Sequence, residues 1–222
     1  MIYIIFIGIA ILSFVVQSSL QSKFTKYSRV PLNTPLRGHD VASMMLQSAG
    51  LGNVRVTSTS GMLSDFYNPG NQTVNLSEGV YNVNSVGAAA VAAHECGHAL
   101  QHAYGYAPLK LRTALVPVVS FASQWMSWVL LAGIVLFQVL PGLFWIGIGM
   151  FALTTLFSLV TLPVEIDASR RAIQWLDSSG ITQGETTAMA KDALRSAAYT
   201  YVVAALGSIA TLLYYLTIAN RR

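Results

Sequence analysis

Charge is what this sequence has least of. Asp, Glu, Lys and Arg make up 10% of its 222 residues, while 54% are hydrophobic. Soluble domains are about a quarter charged, so an ordinary water-facing surface is excluded. Cysteine is almost missing. The single Cys96 excludes an internal disulfide framework. Net charge is +4, but no dense basic run interleaved with aromatics exists, which excludes a nucleic-acid-binding surface. Repeats and low-complexity tracts are absent as well.

Long uncharged runs are present instead, at 2–20, 113–140, 143–164 and 197–219. Each is near the ~20 residues that carry a helix across a bilayer. Trp125, Trp128, Trp145, Tyr199, Tyr201, Tyr214 and Tyr215 are candidates for anchors at the lipid–water boundary. "LPGLF" (140–144) predicts the turn between spans two and three. Residues 2–20 lack a basic leader and a small-residue cleavage site, which favours a retained anchor over a signal peptide. Of the 13 Lys and Arg, all but Arg221 and Arg222 fall in 21–112 or 165–196. Positive charge favours the cytoplasmic side, so both segments are expected there, with the termini outside. The lone free thiol fits that compartment.

The organisation that follows is a transmembrane helix (2–20), a cytoplasmic catalytic domain (21–112), a transmembrane hairpin (113–164), cytoplasmic helices (165–196) and a last transmembrane helix (197–219). Within 21–112, residues 39–51 have helical spacing. Residues 53–59, 62–67 and 72–77 read as strands, with a turn at 68–71. Residues 85–105 are alanine-rich and helical, with Ser85 as N-cap. After the third span, 163–180 opens on Pro163 and closes on Gly180, a helix signature. Thr182 and Glu185 have capping-box spacing for a short helix over 182–198. The fold class expected is a mainly α membrane protein: about four transmembrane helices and a zincin-like α+β cytoplasmic domain carrying a small β-hairpin or sheet.

"AAHECGHALQH" (92–102) holds three of the four histidines. His94 and His98 are four apart and share one face of a helix. Two imidazoles so placed can grip one tetrahedral Zn²⁺ at about 2.0–2.1 Å. Glu95 is placed to take a proton from a water at the metal, so H-E-x-x-H encodes a zinc hydrolase with a general base. Gly97 leaves room for a packed neighbour. Cys96 lies off the ligand face and reads as a small buried apolar residue.

A catalytic zinc needs a third protein ligand and an open position. Position 104 is Tyr104, so a third histidine further along the same helix fails. His102 lies two turns from His94 and reads as a neighbour of the ligands or as solvated. His39 sits at an expected helix start and reads as a polar residue of the helix N-terminus or of the surface. Glu165, a carboxylate at a membrane boundary, asks for a partner and is the preferred third ligand. Asp167 is the alternative to it, or else the partner of Arg170 or Arg171. Ser169, one turn after Glu165, can orient a ligand.

"LSEGVYNVNSVGAAA" (76–90), "AVAAHECGHALQHAYGYAPLKLR" (90–112) and "LPVEIDASRRA" (162–172) resemble the YugP-like neutral zinc metallopeptidase family of small membrane proteins. The resemblance runs the length of the chain. More distantly the plan is similar to the HtpX and Ste24 membrane proteases. The resemblance implies zinc at His94, His98 and Glu165, with Glu95 as base. The chain departs from the pattern at Phe66 and Asn68, where the family often carries a histidine and a second aspartate. It departs again at Ser169, where the distant proteases carry an aspartate.

The function expected is a zinc-dependent, gluzincin-like metalloendopeptidase of the cell membrane, multi-pass, acting near the cytoplasmic face. Its partners would be a protein or peptide substrate, membrane proteins among them, the lipid bilayer, and an accessory or regulatory membrane protein. An extended substrate is expected along "QTVNLS", at Thr73, Val74, Asn75 and Leu76, as an added strand. Two alternatives stay open: an inactive zinc-binding membrane scaffold or regulator, and a site-2-type intramembrane protease. Four histidines are too few for a diiron desaturase. A transporter is disfavoured because the middles of the spans hold no ionisable residue.

Overall fold

The structure, a computed structural model, describes residues 2–61 and 64–221. Its longest elements are α1 (Ile2–Tyr27), α5 (Ala107–Val135), α6 (Pro141–Ser178) and α7 (Glu185–Arg221). All four are long and apolar enough to cross a membrane. On α1, Ile4, Ile7, Ile11 and Phe14 all face outward. Water would penalise such a surface at about 25 cal/mol per Å², whereas lipid would not. Outside these four, the described residues form three shorter helices and a small three-stranded sheet.

These helices outrun the spans read from sequence. No break occurs at 163: the third span and the helix carrying Glu165 are one rod, with Pro163 inside it. A proline removes one backbone donor and crowds the carbonyl four residues back. In apolar surroundings, however, a helix is the only way to pair the remaining backbone groups, so a single proline is tolerated. The short helix expected over 182–198 is likewise continuous with the last span in α7. The Thr182 capping box does not form, because Gly184 takes φ +53 and the helix starts only at Glu185. The amide of Gln183 donates instead to Thr186 Oγ1 at 2.9 Å. The turn expected at 140–144 lies earlier, and Pro141 opens α6, where its missing N–H costs nothing.

The chain forms two compact units: Met1–Val15 with Ala107–Pro163 and Thr200–Arg222, and Val16–Tyr106 with Val164–Tyr199. In the first, Phe144, Leu130 and Ile148 are buried together. Gly133 is required there, since an added Cβ would sit 2.6 Å from Phe144 Cα. The second unit contains α2 (Gly38–Ser48), β1 (Arg55–Thr59), β2 (Phe66–Asn68), β3 (Thr73–Ser77), α3 (Glu78–Tyr81) and α4 (Val86–Ala103). Met62 and Leu63 of the strand expected at 62–67 lie outside the described residues.

The sheet order is β1-β3-β2. β3 pairs in parallel with β1 from Arg55↔Thr73 to Thr59↔Ser77, and antiparallel with β2 from Phe66↔Asn75 to Asn68↔Thr73. This corrects the substrate strand. Thr73, Val74 and Asn75 are paired on both sides, Leu76 is already paired to Ser58, and Val74 and Leu76 are fully buried. A central strand has no spare donors and acceptors for an added one.

α4 passes through the core of this unit. Ala88, Ala89, Ala92, Ala93, Cys96 and Ala99 are buried and cluster with Val41, Met45 and Leu46 of α2. Small side chains let the two helices approach closely. Ser85 caps α4, its hydroxyl accepting from the Ala88 amide at 3.1 Å.

Candidate metal centre

α4 and α6 touch at Gly97. A Cβ there would lie 2.6 Å from the carbonyl oxygen of Ala168, so only glycine permits the approach. That contact brings the His94 and His98 face of α4 against Glu165 on α6. Glu165 Oε2 lies 3.3 Å from His94 Nε2 and 3.7 Å from His98 Nε2. One donor atom from each of the three residues lies within 4.8 Å of the other two. Two imidazole nitrogens and a carboxylate oxygen, converging in a nearly dry site, are the donor set that suits Zn²⁺. The residues therefore fit that ion.

The rings are also held from behind. Ser169 Oγ lies 3.1 Å from His94 Nδ1, and Gln101 Oε1 lies 3.0 Å from His98 Nδ1. With Nδ1 engaged on the far side, each Nε2 is directed at Glu165. Such partners orient ligand imidazoles in metal sites.

Glu95 is buried beside this cluster. One of its oxygens accepts from the Tyr67 amide on β2 at 3.1 Å. Burial pushes its carboxyl above the usual range, against the pull of the neighbouring imidazoles. Cys96 is fully buried on the side facing α2, its sulfur 3.5 Å from the Ala42 carbonyl. Burial drives its thiol pKa far up, so thiolate chemistry is closed to it.

The remaining expected residues fall elsewhere. Asp167 is not in the cluster. Its carboxylate accepts from Arg170 at 2.7 Å, from Arg171 Nε at 2.6 Å and from Gln101 Nε2 at 3.0 Å. His102 is exposed, with Nδ1 3.0 Å from the Tyr67 hydroxyl. His39 sits apart, stacked on Tyr81. Thr73 to Leu76 are in the middle of the sheet. Sequence reasoning passed over Gln101, which carried a signal, being the polar residue one turn after His98 on an alanine-rich helix. On sequence Tyr67 counts only for its side chain, with Tyr81 and Tyr104, as a helper for the oxyanion. The contact of its backbone amide with Glu95 carried no signal, because it joins segments far apart in the chain.

A family described as "Putative neutral zinc metallopeptidase" matches residues 2–220. From Bacillus subtilis (strain 168), a protein named "Putative membrane protease YugP" is 41% identical over 216 residues, covering 96% of this chain and 95% of the relative. No solved structure matches.

Proposed function

Since the chain belongs to this neutral zinc metallopeptidase family, we propose that it is a membrane-embedded metalloendopeptidase that cuts peptide bonds near the cytoplasmic membrane face. His94, His98 and Glu165 hold the zinc and Glu95 is the general base. The observation that carries this reading is the convergence of the three donor atoms within 4.8 Å beside a buried glutamate. A bound zinc supplies Lewis acidity, polarising the scissile carbonyl and making a water easier to deprotonate.

The chain's own groups do the rest. Glu95, ionised, takes the proton of the attacking water and later delivers it to the leaving amine. Its burial raises its hold on that proton and suits it to both transfers. The Tyr67 amide keeps the carboxylate from turning away. Ser169 and Gln101 keep the rings aimed. α4 is not among the helices apolar enough to cross a membrane among the described residues, which favours a membrane-border protease over a site-2-type one.

The test is bound zinc in detergent-purified protein. We expect about one ion per chain, lost in Glu165→Gln and retained in Glu95→Gln and Asp167→Asn. Peptide hydrolysis in Glu95→Gln should fall by at least ~10²-fold. Zinc-free wild type, or loss confined to Asp167→Asn, would overturn the ligand set.

A further inference from the structure

Gln101 is fully buried, and its side-chain amide meets three partners. The NH₂ group lies 2.8 Å from the Val164 carbonyl oxygen and 3.0 Å from Asp167 Oδ2. A carbonyl can only accept, and so can a carboxylate engaged by two arginines. The nitrogen end of the amide is thereby dictated by its surroundings. The oxygen end must face His98 Nδ1, 3.0 Å away. An amide oxygen cannot donate, so Nδ1 carries a hydrogen, and Nε2 is the nitrogen left to face a metal beside Glu165. His94 differs in this respect. Its partner is the Ser169 hydroxyl, which can donate or accept and so dictates no tautomer.

The same side chain ties the two helices together. Gln101 is on α4, one turn after His98, while Val164 directly precedes Glu165 on α6. One hydrogen bond thus sets the height of His98 against the backbone that carries Glu165. Asp167 completes the arrangement. Arg170 and Arg171 balance its charge, so a buried carboxylate can serve as an acceptor for Gln101 at modest cost.

We propose that Gln101 is a positioning residue of the metal centre: it holds the His98 ring in its Nδ1–H form and aligns His98 with Glu165, anchored by Val164 and by the Asp167–Arg171 pair. This rests on the zinc reading above for its purpose, but not for its geometry.

Two measurements on the full chain in detergent test it. The first is zinc affinity by chelator competition for wild type, Gln101→Leu and Gln101→Glu. Loss of a partner of this kind weakens metal binding by about 10–100-fold, and that is the change expected for Gln101→Leu. Gln101→Glu keeps an acceptor for the imidazole hydrogen and should recover part of the loss. The second is the ¹⁵N signature of the His98 ring in metal-free protein. Wild type should show Nδ1 protonated whether or not Nε2 also carries a hydrogen toward Glu165, whereas in Gln101→Leu Nδ1 should lose its hydrogen in a share of the molecules. A tie between helices that did not orient the ring would leave that signature unchanged. Zinc binding by Gln101→Leu within about 2-fold of wild type, or an unaltered ring signature, overturns the proposal. Should Gln101→Leu fail to fold, Gln101→Met takes its place in both measurements, since it keeps the side-chain length but offers the ring only a weak thioether acceptor. Wild type that binds no zinc sinks the protease reading, while the ring signature still decides the role of Gln101.

Discussion

Gly97 shows how little room the site allows. In Gly97→Ala the new methyl would meet Ala168 O at 2.6 Å and Ala168 Cα at 3.0 Å. Both are backbone atoms, so no side-chain rotation relieves the clash. Overpacking of this kind costs about 1–3 kcal/mol and here also pushes the two imidazoles away from Glu165. Gly97→Ala should lower the melting temperature and weaken zinc binding together. Gly79→Ala, where a Cβ meets nothing within 4 Å, should leave zinc binding unchanged, as chelator titration of both variants would show. At the same scale, charge pairing separates two carboxylates that sequence left as alternatives. Asp167 is taken up by Arg170 and Arg171, and Glu165 faces the imidazoles. Arg170 and Arg171 follow Asp167 by three and four residues, the spacings at which helical side chains meet, and Glu165 lies too far back for either, but whether Glu165 reaches the histidines was open on a bare sequence.

The helix boundaries were legible where a local signal decides them. α4 starts after Ser85 because a hydroxyl can satisfy an orphan amide there, and it ends before Gly105, whose φ is +66. Ser85→Ala should cost about 1 kcal/mol, seen as a lower melting temperature with zinc affinity retained. Boundaries went wrong where the local signal met a stronger constraint. Pro163 and the Thr182–Glu185 spacing both read as helix starts, yet α6 runs through the first and α7 begins after the second. The strands were legible by composition, but their order was not. β3 lies between β1 and β2, and nothing in "QTVNLS" says that both of its edges are taken. That depends on which strands return to it, a property of chain topology.

For the whole molecule, the four apolar helices and the distribution of Lys and Arg make a prediction about sidedness. The native thiol is a silent background, because Cys96 is fully buried. A cysteine at exposed Ser178 should react with a membrane-impermeant thiol reagent only after cells are permeabilised. A cysteine at Val139, 83% exposed in the uncharged turn before α6, should react in intact cells. The opposite pattern would place the candidate metal centre outside the cell and end the cytoplasmic reading.

Sequence by itself determined the membrane class, the pairing of His94 with His98 on one helix face, the nearby Glu95, and the family. These follow from composition, from the 3.6-residue period and from short motifs, all of which act within a few turns of chain. Only the tertiary structure decided that Glu165 rather than Asp167 meets the histidines, that Gln101 and Tyr67 brace the site, and that β3 is closed to an added strand. Those outcomes depend on how α4, α6 and β2 pack. Packing is set by contacts between residues distant in sequence, such as Gly97 against Ala168, which no local pattern encodes.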